Sequence, residues 1–200
     1  MSHGTYYCKE LGRELPSVTT ILGIIAKGEG FNNWLKKQGD NADKILTEAG
    51  DFGTCIHNHL EAIGKGIQVN VDALRPKEKR CVVAFQGWVK DNVKRFISTE
   101  QAVYNVREGY AGTLDAVVEM IDGRIAVLDY KTSSGIYDTY ELQVVSYGKA
   151  WGKFDDAYIL RFEKDEKKKD DMQIRKVDNH DYLYEVFLAA LKVYNWRNNR

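Results

Sequence analysis

Two acidic residues in apolar strands and one lysine are the residues with the clearest chemistry. Asp115 lies in the run 113–121 and Asp129 in the run 125–131, both otherwise rich in β-branched and aliphatic residues. A buried carboxylate needs a compensating cation, and two close carboxylates repel unless a hard divalent cation lies between them. Lys131 shares a strand face with Asp129 because side chains alternate. This pattern predicts a metal site where Lys131 orients a water or neutralises charge on an attacked phosphate.

A purely structural role for these residues is the alternative. Asp115 and Asp129 are also compatible with polar strand ends, with Lys131 as a salt-bridge partner on the surface. Asp122-Gly123 between the two runs is a strong hairpin signal. The hairpin favours the metal site, because it brings the two acids onto neighbouring strands.

A histidine on a predicted helix is the next candidate. The segment 44–64 has apolar residues at helical spacing, and within it His57 shares a face with Glu61. A lone helical histidine is usually structural, so His57 by itself does not indicate a ligand. His57 and His59 are about 200° apart on a helix, so only one of them faces the sheet.

The elements that must position these residues alternate between helix and strand. Helical patterns cover about 44–64, 76–97, 140–151 and 181–196, and strand patterns cover about 102–107, 113–121, 125–131, 157–162 and 172–177. This order predicts an α/β or α+β sheet domain with helices on its faces. We expect one domain over 1–200, with a helical part at about 15–97, a sheet core at about 100–177 and a C-terminal helix at about 181–196.

Charge and composition restrict the function classes. The 29 basic and 29 acidic residues exclude a polybasic protein that coats nucleic acid by charge alone, but they are compatible with a local basic groove. The charged segment 163–171 is predicted to be a solvated hairpin tip. No apolar run approaches the roughly 20 residues that span a bilayer, and the first residues do not resemble an export signal. We therefore expect a soluble, cytoplasmic protein with no membrane partner.

Five short motifs follow one another between about Leu15 and Tyr147. They are P-S-V-T-T-I-L at 16–22, G-T-C-I-H-N-H-L-E at 53–61, Y-A-G-T-L-D at 110–115, L-D-Y-K-T-S at 128–133 and L-Q-V-V-S-Y at 142–147. In this order they resemble the PD-(D/E)XK nuclease superfamily, above all its RecB-like branch. That branch includes phage exonucleases and the mitochondrial genome maintenance exonuclease. Leu114 stands where the family has a proline before its first acid.

The resemblance implies a fold, an activity and a set of site residues. The fold would be a restriction-endonuclease-like central mixed sheet flanked by helices. The activity would be that of a Mg²⁺- or Mn²⁺-dependent DNA exonuclease in phage or bacterial recombination, repair or replication. The implied metal ligands are His57, Asp115, Asp129 and the backbone carbonyl of Tyr130. Lys131 would position the attacking water, Gln143 and Tyr147 would shape the site and contact nucleic acid, and Glu61 and Glu100 would add carboxylates.

Cofactors and partners follow from the same resemblance. Some relatives hold an iron–sulfur cluster on four cysteines, whereas this chain has only Cys8, Cys55 and Cys81, so we expect no cluster. The expected substrate is DNA that is single-stranded or has an end. Help from a helicase, an annealing protein or a single-strand-binding protein would have to come from a partner. A structure-selective endonuclease of the same superfamily and a non-catalytic nucleic-acid-binding module are the alternatives.

Overall fold

A computed structural model describes residues 4–25, 29–165, 167–168 and 170–198. In this part of the chain, a first hairpin and four α-helices precede the main sheet. The elements in chain order are β1 Thr5–Cys8, β2 Arg13–Pro16, α1 Val18–Leu22, α2 Glu29–Gln38, α3 Ala42–Gly64, α4 Pro76–Asn92, β3 Val93–Asn105, β4 Tyr110–Met120, β5 Ile125–Lys131, α5 Asp138–Trp151, β6 Asp156–Phe162, β7 Met172–Val177 and α6 His180–Asn198.

The central sheet has five strands in the order β3-β4-β5-β6-β7. Strands β5 and β6 are parallel, with α5 between them in the chain, and the other neighbouring pairs are antiparallel. The predicted Asp122-Gly123 turn joins β4 to β5, and Gly123 adopts the positive φ of 87° that such a turn requires. The predicted mixed α/β sheet flanked by helices is confirmed, and it is consistent with the restriction-endonuclease-like fold.

Helices cover both faces of this sheet. On one face α1, α5 and α6 pack against alternate residues of the central strands, including Val117 and Val127. On the other face α3 and α4 contribute Ile56 and Phe85, which pack against Leu128. Strand β5 is therefore apolar on both sides, which makes its two polar residues, Asp129 and Lys131, exceptional. Among the described residues, no helix has the length and apolar character needed to cross a bilayer.

The predicted helix over 76–97 is wrong in its last turn. Helix α4 ends at Asn92, and β3 runs from Val93 to Asn105, so it also contains most of the strand predicted at 102–107. The apolar spacing of Val93 and Phe96 fits a helix, but both side chains pack on the α3–α4 face of the sheet. Register shifts between β3 and β4 in this region place them there, because an extra residue in a strand offsets the alternation of side chains. The helical part of the chain therefore ends at 92 rather than 97.

Candidate active site

The site lies where β4 and β5 separate. The two strands pair from Glu119 opposite Ile125 to Ala116 opposite Leu128. Asp115 is the next residue of β4, and its Oδ2 accepts a hydrogen bond of 2.5 Å from the backbone N–H of Tyr130, two residues past Leu128. A side-chain carboxylate thus accepts the hydrogen bond that a ladder carbonyl would accept in a continuous pair of strands. This contact holds Asp115 at the end of the ladder.

Three side chains from three elements converge at this point. Nδ1 of His57 on α3 lies 3.3 Å from Oδ1 of Asp115 and 3.7 Å from Oε1 of Glu100 on β3. The ligand atoms of all three residues lie within 4.8 Å of one another, so together they can hold a metal ion. Glu100 has a φ of 46°, a left-handed conformation that residues other than glycine rarely adopt. Such strain is found mostly at functional sites.

The electrostatics around His57 favour a positive charge at this point. Burial lowers the pKa of the imidazole, but the charge of Asp115 and hydrogen bonding to Asp115 and Glu100 outweigh burial and raise the pKa to about 10. The pKa of Asp115 is held below its usual range, since the charges of His57 and Lys131 overcome the effect of burial. The two carboxylates of this group therefore attract positive charge, and the protonated side chain of His57 supplies that charge within the protein.

Asp129 and Lys131 form a buried pair beside this group. Oδ1 of Asp129 accepts hydrogen bonds from Nζ of Lys131 over 2.7 Å and from Nε2 of Gln143 over 3.0 Å. Oδ2 lies 2.6 Å from Nζ but has no hydrogen-bond partner among the described residues. Burial raises the pKa of Asp129 to about 6, against the opposing charge of Lys131. Asp129 is therefore a second buried carboxylate beside this group, and one of its oxygens accepts no hydrogen bond among the described residues.

Gln143 and Tyr147 support Asp129 from α5. Nε2 of Gln143 also lies 3.3 Å from the hydroxyl of Tyr147, so the amide links the two residues. The ring of Tyr147 packs directly on Gly112 of β4, where an added Cβ atom would lie 2.4 Å from a ring carbon. Gly112 is needed for this close approach. Both predicted residues therefore lie at the site. Gln143 donates a hydrogen bond to Asp129, and Tyr147 contacts Gln143.

A cleft of about 320 Å³ borders the site, and its lining includes His57, Tyr130, Lys131, Tyr140 and Lys164 but not the acids Glu100, Asp115 and Asp129. Nζ of Lys131 lies 4.8 Å from the centre of the Tyr140 ring. Cations over aromatic faces are attracted by the ring, so Tyr140 helps to fix the lysine. The sequence motifs did not indicate Tyr140, because its contact with Lys131 depends on how α5 packs against β5.

The remaining candidates lie in different positions. Glu61 forms an ion pair with Lys65, just past the end of its helix, and is not part of the group around His57. His59 faces another side of α3, where it contacts Cys55. Tyr130 contributes its backbone N–H to Asp115, and its ring packs between the sheet and α4 against Phe85. The structure therefore brings His57, and not His59, to the acids.

Comparisons with known proteins give structural similarities only. No family model and no curated protein sequence matches this chain. Among solved structures it is similar to SSO0001, at 14% identity and a TM-score of 0.44, covering 88% of this chain and 75% of that one. It is also similar to LHK-Exo, an alkaline exonuclease from Laribacter hongkongensis, at 10% identity and a TM-score of 0.41, covering 92% and 91%. The complex of LHK-Exo with dAMP matches at 13% identity and a TM-score of 0.40, covering 90% and 89%. Similarity at this level assigns no activity, so function has to be argued from the site.

Proposed function

We propose that this protein is a Mg²⁺- or Mn²⁺-dependent deoxyribonuclease that acts as an exonuclease. The observation that carries the proposal is the convergence of His57, Glu100 and Asp115 within 4.8 Å of one another, beside the buried pair of Asp129 and Lys131. Oδ2 of Asp129 lies 2.6 Å from Nζ of Lys131 but accepts no hydrogen bond among the described residues, so this buried oxygen can also bind a cation. One nitrogen and several carboxylate oxygens form a donor set that suits Mg²⁺ or Mn²⁺.

The residues of the site have distinct tasks in phosphodiester hydrolysis. His57, Glu100, Asp115 and Asp129 would hold the cation, and the carbonyl of Tyr130 is a further proposed ligand. The cation, when bound, supplies Lewis-acid activation of the phosphate and of water.

In the proposed mechanism Lys131 supplies positive charge, and Gln143 positions Asp129. Lys131 keeps an ammonium group beside the acids, since the charge of Asp129 raises its pKa although burial opposes this. That ammonium would orient the attacking water and stabilise the charge that develops on the phosphate. Gln143 holds Asp129 in place through a hydrogen bond.

The proposed substrate is DNA that is single-stranded or has an end. Lys131 and Lys164 line the cleft and supply local positive charge in a chain with equal numbers of acidic and basic residues. By the motif resemblance, the activity would serve phage or bacterial DNA recombination, repair or replication. A helicase, an annealing protein or a single-strand-binding protein would be the natural partner.

The variant Asp115→Asn tests the metal-dependent nuclease directly. Asparagine keeps an oxygen that accepts from the N–H of Tyr130, so the strands stay joined, but it removes the charge next to His57. We expect cleavage of linear DNA to be abolished and calorimetric affinity for Mn²⁺ to fall at least tenfold. Asp181→Asn is the matched control, because Asp181 is exposed on α6 and pairs with Lys149. Unchanged Mn²⁺ affinity in Asp115→Asn would overturn the assignment of the site.

A further inference from the structure

A second group of ligand-type side chains lies on a different side of α3. Sγ of Cys55 is 3.5 Å from Nε2 of His59 and 3.1 Å from Oε1 of Glu78 on α4. The three ligand atoms lie within 4.8 Å of one another, as in the group around His57. None of the three belongs to the site described above.

Helix geometry explains why neighbouring residues form two separate groups. Cys55 and His59 are four positions apart, so they lie on one face of α3 about one turn from each other. His57, between them, points about 200° away, towards Asp115. The helix therefore presents one imidazole to each group.

The two distances from Sγ of Cys55 are close to those of a tetrahedral zinc site. Zn–S bonds of about 2.3 Å and Zn–N or Zn–O bonds of about 2.0–2.2 Å at a tetrahedral angle place neighbouring ligand atoms about 3.6 Å apart. The Cys55–His59 distance of 3.5 Å is almost this value, and the Cys55–Glu78 distance of 3.1 Å needs to lengthen by only a few tenths of an ångström. Small side-chain rotations achieve that change.

We propose that Cys55, His59 and Glu78 form a second metal site that binds Zn²⁺ or a similar thiophilic divalent cation. Thiolate and imidazole ligands select such ions over Mg²⁺, which prefers oxygen. Three protein ligands leave the fourth position to water. Because Cys55 and His59 lie on α3 and Glu78 lies on α4, the bound cation would join the two helices that cover one face of the sheet.

Cation binding requires two local changes. The thiol of Cys55 now donates to Oε1 of Glu78, and its proton would pass to solvent as Sγ bonds to the cation. Arg75 pairs with the same oxygen, but its side chain is 72% exposed and can turn into water. Thiolate, carboxylate and a dipositive ion then sum to zero, so no uncompensated charge is left beside the buried Glu78.

Cobalt(II) alone is the probe, because thiolate-to-cobalt charge transfer gives an absorption that oxygen and nitrogen ligands do not give. Titration of the full chain, in buffer without Mg²⁺ or Mn²⁺, should produce this absorption up to one equivalent, and added Zn²⁺ should remove it. Cys55→Ser should abolish the absorption. His59→Ala and Glu78→Gln should each weaken cobalt affinity at least tenfold.

Three control variants separate this site from other sources of signal. Cys8→Ala and Cys81→Ala should keep the absorption, since both thiols are buried elsewhere. Asp115→Asn should also keep it, so the result does not depend on the proposed nuclease function. A chain that gives no sulfur absorption at saturating cobalt, or gives one that survives Cys55→Ser, would refute the site. Unchanged affinity in both His59→Ala and Glu78→Gln would refute the three-ligand arrangement.

Discussion

Lys131 is the residue whose role is most sharply defined by its surroundings. Its Nζ lies within 2.7 Å of both oxygens of Asp129 and over the ring of Tyr140, with only 14% of the side chain exposed. Removing one preorganised donor to a transition state typically costs about 10²- to 10³-fold in turnover. We therefore expect Lys131→Ala to lower kcat on linear DNA by about that factor, with a much smaller change in Mn²⁺ affinity by calorimetry.

The charge and shape of Lys131 are tested separately by Lys131→Arg. A planar guanidinium cannot replace a compact ammonium between Asp129 and Tyr140, so we expect little rescue of kcat. Lys149→Ala is the control, because Lys149 makes an ion pair on the surface of α5. Full activity in Lys131→Ala would contradict the mechanism.

At the scale of elements, close contact between β4 and α5 positions the supports of Asp129. We expect Gly112→Ala to destabilise the protein by about 1–3 kcal/mol, because the new methyl group overlaps the ring of Tyr147. Displacement of Tyr147 should also lower nuclease activity. Gly87→Ala in α4 is the matched variant. Gly87 is exposed with open space around it, so alanine should stabilise the helix by about 0.5–1 kcal/mol. Urea unfolding of both variants measures the contrast, and equal effects would show that the Tyr147 contact is unimportant.

The segment 163–171, predicted to be a solvated hairpin tip, connects β6 to β7, and its first residue, Glu163, is buried instead. Glu163 is only 4% exposed and accepts from Nη2 of Arg161 over 2.8 Å, while Arg161 also donates to the carbonyl of Ser133 beside the cleft. Burial raises the pKa of Glu163, but hydrogen bonds from Arg161, Asp165 and Lys168 outweigh burial and lower the pKa to about 2. The sequence predicts a solvated segment because it contains many charged residues. The sequence does not indicate that Arg161 is buried and pairs with Glu163.

This pair should make stability depend on pH in a defined acidic window. The folded-state pKa of about 2 lies below the ordinary value of 4.5, so the carboxylate stabilises the folded state above pH 4.5. This contribution, about 3 kcal/mol, is lost as pH falls from 4.5 to 2. We expect the free energy of unfolding of Glu163→Gln to change less over this window than that of the unmodified protein. Glu48→Gln is the matched control, because Glu48 is exposed on α3, and its free energy of unfolding should be measured over the same pH window.

For the molecule as a whole, the neutral net charge bears on how the proposed nuclease would bind DNA. With 29 basic and 29 acidic residues, the protein has no overall charge to hold it along a duplex, so such binding would depend on the local field at the cleft. Under the proposed exonuclease activity, linear single strands with Mg²⁺ should shorten progressively while covalently closed circles survive, as gel electrophoresis would show. Rapid cutting of circles would favour the structure-selective endonuclease and leave the metal site unaffected.

Local sequence patterns predict β4, β5, the hairpin that joins them and the two acids that they carry. Runs rich in β-branched and aliphatic residues around Asp115 and Asp129, joined by Asp122-Gly123, are local patterns, and the fold confirms them as β4 and β5. Helical spacing also separated His57 from His59, because the rotation per residue is fixed. The roles of these residues in catalysis remain predictions.

Packing between elements far apart in the chain sets which side chains meet. Glu100 reaches His57 because β3 carries a left-handed residue opposite Asp115, and the switch from α4 to β3 at Asn92 depends on bulged pairing with β4. Neither feature has a local signature, since both are stabilised by contacts between residues far apart in the chain. Glu78 meets Cys55 for the same reason, through the packing of α4 on α3. Spacing along one element can be read from sequence, whereas the distance between elements is set by how their apolar faces pack.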